Sequence, residues 1–212
     1  MTGEGISLSE LERDALTEIV NIGVSRAASS LRKMVGDQVQ LSVPSIEVVT
    51  QRHAARLIGE REVAQLVAVC QDFSGPFSGR ALLMFPGPDS LELVRAVTGD
   101  NFSAEQLIEM EHEALTETGN IILNGCLGTM ANLLQRSLTL TIPEVMRGSG
   151  AELFEISDGT AEEGLVLFLY IDFSIRQRDI RGYIAMLMNL PALSALKELL
   201  DEFIERVVGD DL

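Results

Sequence analysis

Residues 14–22 read DALTEIVNI, and residues 113–121 read EALTETGNI. Both stretches carry Ala-Leu-Thr-Glu, two variable positions and Asn-Ile, at an offset of 99 residues. The offset runs outward without a gap. It places Glu12 on Glu111 upstream and Pro44 on Pro143 downstream. A repeat that keeps register over this distance marks an internal duplication, and it decides how the rest of the chain is read.

Each copy falls in a long stretch of helical periodicity. In the first half Ser7 or Ser9 is a candidate cap and Gly36 a stop, which predicts a helix to about Val35. QVQLSV (38–43) alternates as a strand, IEVVT (46–50) is a short extended piece, and HAARLIGE (53–60) is a short helix. VAQLVAVCQDF (63–73) and GRALLMFP (79–86) flank the turn SGPFSG and read as a hairpin. PDSLELVRAVTG (88–99) closes the half as a helix with Asp89 as its cap.

The second half repeats the scheme: a helix from about Ala104 to Arg136, then SLTLTI (137–142) as a strand ending at Pro143. A loop-rich segment (144–164) is expected in place of the short helix. LVLFLYIDF (165–173) and RGYIAMLMN (181–189) form the second hairpin, and residues 192–208 the last helix. The pattern predicts an α/β (α+β) fold with pseudo-twofold symmetry, a mixed or largely antiparallel sheet packed with long helices. Residues 1–102 are the first repeat and 103–212 the second. The short join near Thr98–Ser103 predicts one fused compact domain rather than two beads.

Composition narrows the function. A chain of 212 residues with 46% apolar content can bury a core without staples. A net charge of −16 argues against nucleic acid, which needs a basic patch, and against docking on anionic lipid. Cys70 and Cys126 form no CxxC and read as small core residues of a reducing compartment. The start, MTGEGISLSELE, has neither the basic nor the apolar part of a secretory signal, and no apolar run is long enough to span a bilayer. The expected location is the cytoplasm.

On a helix, residues three and four apart share a face. Asp14, Glu18 and Asn21 therefore form one polar stripe, extended by Ser25 and Ser29. Glu113, Glu117, Asn120 and Asn124 form the second, extended by Gly128. Beyond each Asn the stripe turns small, which suits close approach of another backbone. A single Glu-x-x-Asn on a helix is ordinarily solvated surface. Two copies in register, each placing a mediocre helix former mid-helix, point to work for the amide. No His, Cys or Ser nucleophile accompanies the pair, and no Asp/Glu/His cluster has metal-ligand spacing. What remains is positioning. An amide can donate to and accept from one water, and phosphoryl transfer depends mainly on positioning and charge stabilisation. Such a pair works if a partner supplies the electrophile, a metal and a Lys.

The pattern resembles the CheC/CheX/FliY family of response-regulator phosphatases, whose motif is Asp or Ser, three residues, Glu, two residues, Asn, twenty-two residues, Pro. Asp14, Glu18, Asn21 and Pro44 match it at every spacing, as do Glu117, Asn120 and Pro143. Glu113 departs from the Asp/Ser position, and Arg26 stands where a smaller or polar residue is common. Two motifs in one chain are similar to CheC; a FliY would carry a further C-terminal flagellar-switch domain. The resemblance implies hydrolysis of the aspartyl phosphate of a CheY-like receiver. Asn21 and Asn120 would orient the attacking water, and Glu18 and Glu117 would pair with the receiver's Lys. It implies no cofactor of the chain's own, Mg²⁺ being supplied by the receiver. The alternative it leaves is a weakly active or inactive adaptor that binds a phosphorylated receiver or a CheD-type receptor deamidase.

Overall fold

Ser9 and Ser103 open the two long helices by the same device. In the computed structural model, which describes residues 7–43, 45–62, 65–99, 101–154, 164–175 and 178–210, α1 spans Glu10–Val35 and α4 spans Ala104–Leu133. The Ser9 hydroxyl accepts from the Glu12 N–H at 3.2 Å while the Glu12 carboxylate accepts from the Ser9 N–H at 2.6 Å. Ser103 and Gln106 repeat this box at 3.3 and 2.9 Å. Each box satisfies two of the N–H groups that a helix start leaves unpaired. Gly36, at φ +69°, stops α1 as expected.

The remaining elements of the first half are β1 (Val39–Ser42), β2 (Ile46–Thr50), α2 (Gln51–Arg61), β3 (Leu66–Ser74), β4 (Gly79–Pro86) and α3 (Gly87–Thr98). The second half supplies β5 (Thr139–Leu140), β6 (Glu144–Gly148), α5 (Gly150–Leu153), β7 (Leu165–Ile175), β8 (Arg178–Met188) and α6 (Leu190–Asp210). Four details differ from the sequence reading. Asp89 is not a cap: α3 starts at Gly87, because Pro88 has a helical φ ready-made, and this puts Asp89 inside the first turn. The helix expected to run to Arg136 ends at Leu133, and Gln135 takes a positive φ of 54°. The strand expected over 137–142 shrinks to Thr139–Leu140. The segment read as loop begins with a strand and a helical turn, β6 and α5, and α5 is opened by a Ser149–Glu152 capping box that was legible in the sequence. Residues 155–163 of that segment lie outside the described residues.

Among the described residues eight strands join one sheet in the order β1-β7-β8-β4-β3-β5, with β2 beside β7 and β6 beside β3. Every pairing is antiparallel. The centre of the sheet is the β4–β8 pair, where Met84 lies opposite Tyr183. These two residues are themselves 99 positions apart, so the pseudo-twofold axis passes between them. The outer strands are exchanged: β1 and β2 lie on the second half's hairpin, and β5 and β6 lie on the first half's.

The sheet is covered on both faces, which explains the continuous apolar runs of β3 and β7. Val67, Val69, Leu83, Leu167 and Ile184 pack beneath the long helices with Leu16, Ile19, Ile122, Leu127 and Leu193. Leu66, Ala68, Leu82, Phe168 and Tyr183 meet Ala54 and Ile58 of α2 and Leu153 of α5 on the other side. Cys126 is fully buried, and burial alone pushes its thiol up to about 12. A thiol so protonated and enclosed is inert. Cys126 is therefore expected to resist iodoacetamide at pH 8 in the native protein and to react only when the chain is unfolded, as mass spectrometry of the alkylated peptide would record. Among the described residues no helix is long and apolar enough to cross a membrane.

Two carboxylates at equivalent positions anchor the long helices. Glu12 is 4% exposed and takes the Lys197 ammonium of α6 at 2.5 and 2.7 Å. Glu111 is equally buried, but its partners are Arg147 of β6 and the Ser90 hydroxyl at 3.1 Å. Burial acts to raise the Glu12 carboxyl. Lys197 and the Ser9 N–H outweigh it and bring the carboxyl to about 2. Asp201, beside Glu12, is shifted upward by desolvation and by the Glu12 charge. A carboxyl held below its unfolded value of 4.5 gives its stabilisation in full above that pH and loses it as pH falls toward 2. Urea midpoints should thus drop between pH 4.5 and 2. Glu12→Gln should flatten that drop and lower stability at pH 7 by about 2 kcal/mol, the scale of a charge-assisted bond.

Candidate functional site

The repeated threonines spend their hydroxyls on their own helices. Thr17 donates to the Arg13 carbonyl and Thr116 to the His112 carbonyl, each at 2.7 Å. That leaves the acid and the amide for chemistry. On α1, Asp14 and Glu18 are exposed and Asn21 is half-buried. Glu18, Asn21, Ile22, Ser25, Arg26 and Ser29 line one open groove of about 350 Å³. Among the described residues the Glu18 carboxylate has no hydrogen-bond or ion-pair partner.

The Asn21 amide is clamped. Its Nδ2 donates to the Val43 carbonyl at 3.2 Å, and its Oδ1 accepts from the Val43 N–H at 3.0 Å. The two bonds fix the amide plane. They use one of two N–H groups and one of two carbonyl lone pairs, so one donor and one acceptor remain. Val43 is 2% exposed, so the clamp has a rigid base. It is the residue before Pro44, which itself lies outside the described residues. The spacing from Asn to Pro in the sequence is thus the trace of a contact between mid-helix and the end of β1.

The second copy is built differently. Glu113 and Glu117 are exposed, and Asn120 is half-buried, as is Pro143. The counterpart of Val43 is Ile142, which is 84% exposed. Asn120 has no bond to it; its Oδ1 accepts instead from Asn124 at 2.7 Å. The loop has been drawn onto β3. Gln71 Nε2 donates to the Thr141 carbonyl at 2.7 Å, the Thr141 N–H donates to the Asp72 carbonyl at 3.0 Å, and the Asp72 N–H donates to the Thr141 hydroxyl at 3.0 Å. Gln71 Oε1, Thr118 Oγ1 and Asn124 Oδ1 are buried there without a partner. The helix also sits tightly on the sheet: a β-carbon on Gly119 would come 2.5 Å from Val69. Its counterpart on α1 is Val20.

Sequence reasoning named Glu18, Asn21, Glu117 and Asn120 but missed Val43 and Gln71. Val43 acts through its backbone and leaves no residue-type signal beyond the Asn-to-Pro spacing. Gln71 had one: it is the amide in an otherwise apolar strand run, LVAVCQ. Among the described residues no three His, Cys, Asp or Glu side chains converge as a metal site.

Comparison with known proteins covers both repeated stretches. The chain matches the profile described as CheC-like family over residues 11–48, and that described as chemotaxis phosphatase CheX over residues 67–168. The first span holds Glu18, Asn21 and Pro44, the second Glu117, Asn120 and Pro143. It is 24% identical over 197 residues to the CheY-P phosphatase CheC of Bacillus subtilis, covering 89% of this chain and 93% of that protein. It is 26% identical over 159 residues to the flagellar motor switch phosphatase FliY of the same organism, covering 74% of this chain but 39% of that longer protein. In fold it is similar to the crystal structure of Thermotoga maritima FliY, with a TM-score of 0.72 at 18% identity, over 93% of this chain and 100% of the other.

Proposed function

We propose, from its similarity in sequence to the CheY-P phosphatase CheC and in fold to FliY, that the chain hydrolyses the aspartyl phosphate of a CheY-like receiver domain. The observation that carries this reading is the first-site groove. It brings together an unpaired carboxylate, Glu18, and an amide, Asn21, that is held in plane with one donor and one acceptor left over. The leftover pair is what orienting one water requires. Water attacks phosphorus opposite the aspartyl oxygen, the P–O bond to the receiver's Asp breaks, and the products are a free carboxylate and inorganic phosphate. Glu18 meets the receiver's Lys and sets the depth of docking. Mg²⁺ belongs to the receiver, where it neutralises the phosphoryl oxygens. This chain contributes position, which is most of what phosphoryl transfer asks of a protein.

Glu117 and Asn120 are proposed as a second site of the same kind. It is the weaker one, because Asn120 is tied to its neighbour Asn124 rather than to a fixed backbone. The direct test is phosphate release from a Mg²⁺-loaded, phosphorylated receiver domain with and without this protein. The expected result is an acceleration of roughly 10²-fold, within the range that positioning supplies. A receiver that binds but decays at its own rate would overturn the catalytic reading and leave an adaptor.

A further inference from the structure

We infer that Arg26 is a specificity-determining contact of the first site, pairing with a carboxylate that the phosphorylated partner carries beside its phosphoaspartate. The inference rests on the receiver-phosphatase reading and adds the charge pattern of the partner face. Arg26 is exposed and lines the same groove as Glu18 and Asn21. Its Nη1 donates to the hydroxyl of Thr129, a buried residue of α4, at 3.3 Å. This steadies the side chain with one of its five N–H donors. Among the described residues no carboxylate pairs with it, although the chain carries 32 Asp and Glu against 16 Lys and Arg. A cation left unpaired on so acidic a protein is available to a partner.

The internal duplicate sharpens the point. Glu18 and Arg26 are eight residues apart, about 12 Å along the helix. The first site thus presents an anion, an amide and a cation along one groove. In the second site Gly125 stands where Arg26 does, and no charged residue occurs from Thr118 to Leu133. A side chain at Gly125 would also crowd the crossing helix. A β-carbon there would lie 3.0 Å from the Ala27 β-carbon and 3.1 Å from the Gly23 carbonyl, against the crossing helix α1. The first site therefore fits a face that carries both a cation and an anion, and the second only the cation. A phosphoaspartate pocket that holds a divalent cation does so with carboxylates. It offers the required anion close to the phosphoryl group.

The test uses the full chain with Asn120→Ala, so that only the first site turns over. In that background kcat and KM for a phosphorylated receiver are measured from low to high salt with Arg26, Arg26→Lys, Arg26→Ala and Arg26→Glu. Arg26→Glu is expected to raise KM about tenfold at low salt with kcat nearly unchanged, an effect that fades as salt screens it. Arg26→Lys should recover most of the loss. With Asn21→Ala in place of Asn120→Ala, Arg26→Glu should change nothing. An unchanged KM in the first background would overturn the inference, as would a fall in kcat alone, which would put the guanidinium on the phosphoryl group instead. If the Asn120→Ala protein does not accelerate decay, the phosphatase reading of this site fails. Titration with receiver loaded with beryllium fluoride and Mg²⁺ then judges Arg26 separately: weaker binding of Arg26→Glu upholds the contact, and equal binding removes it.

Discussion

Replacing both Asn21 and Asn120 by Ala should return receiver dephosphorylation to its spontaneous rate. The single changes should be unequal, with Asn21→Ala losing more than Asn120→Ala. The size follows from what a fixed amide contributes when it positions or stabilises a reacting oxygen. Removing one such donor typically costs about 10² or more in rate, or about 3 kcal/mol of barrier, enough to account for the whole of the roughly 10²-fold acceleration. The inequality follows from the clamp. The Asn21 amide is held by both Val43 backbone groups, whereas Asn120 is held by Asn124 alone. Asn21→Ala also releases the Val43 N–H and carbonyl, so a stability loss of about 2 kcal/mol is expected alongside. Urea unfolding of each variant separates that loss from the kinetic one, because a folded but inactive protein has lost chemistry rather than structure. If Asn120→Ala abolishes activity while Asn21→Ala preserves it, the Val43 clamp is only a structural tie and the second site is the working one.

The largest structural effect is expected at Gly23. A β-carbon there would lie 2.9 Å from both the Cys126 Cα and the Gly125 carbonyl oxygen, and both are backbone atoms with no rotamer to yield. Gly23→Val must force α1 and α4 apart at their crossing, above a core that is already filled. The expected cost is about 3 kcal/mol, the upper end of overpacking. For a chain of this size that lowers the thermal midpoint by about 6–12 °C. Gly128→Ala is the contrast on the partner helix. Nothing lies within 4 Å of its β-carbon position, so the change should stabilise by about 0.5–1 kcal/mol through helix propensity alone. Calorimetry of the two variants would show shifts of opposite sign. Equal shifts would mean that the crossing adapts.

The pair also bears on the small residues. The sequence suggested that the stripe beyond each Asn, through Ser25, Ser29 and Gly128, admits another backbone. Within the chain, the close approach of α1 and α4 uses Gly23 and Gly125, on a neighbouring face. Ser25 and Ser29 are exposed and line the groove.

Much was legible because it is local. A capping box spans four residues, a strand alternates every two, and a turn is set by its own Gly and Pro. Such signals need no knowledge of the rest of the chain. They located both long helices, both hairpins and the last helix. The duplication added the register and singled out Glu18, Asn21, Glu117 and Asn120. Where a local reading failed, a non-local contact had won. The β5 strand is short because Gln71 and Asp72, some 70 residues away, take up Thr141. Glu12 and Glu111 looked like two more matches in the repeat. Their burial against Lys197 and Arg147 depends on elements 185 and 36 residues away.

By itself, then, the sequence determined the long helices, the two hairpins and the last helix, their order, the twofold repeat and the polar stripe that each long helix displays. Only the tertiary structure decided which hairpin each outer strand joins, and the repeat is the physical reason. β1 would meet the same kind of apolar strand in β3 as it does in β7, so pattern alone leaves the two pairings equivalent. Packing of the whole chain selects the exchanged one. The same holds for the two sites. Identical spacing of Glu, Asn and Pro predicts identical geometry. Yet a fixed backbone at Val43 and an exposed Ile142 make one amide rigid and leave the other tied to its neighbour. Those differences arise from contacts between distant segments, which no short-range pattern encodes.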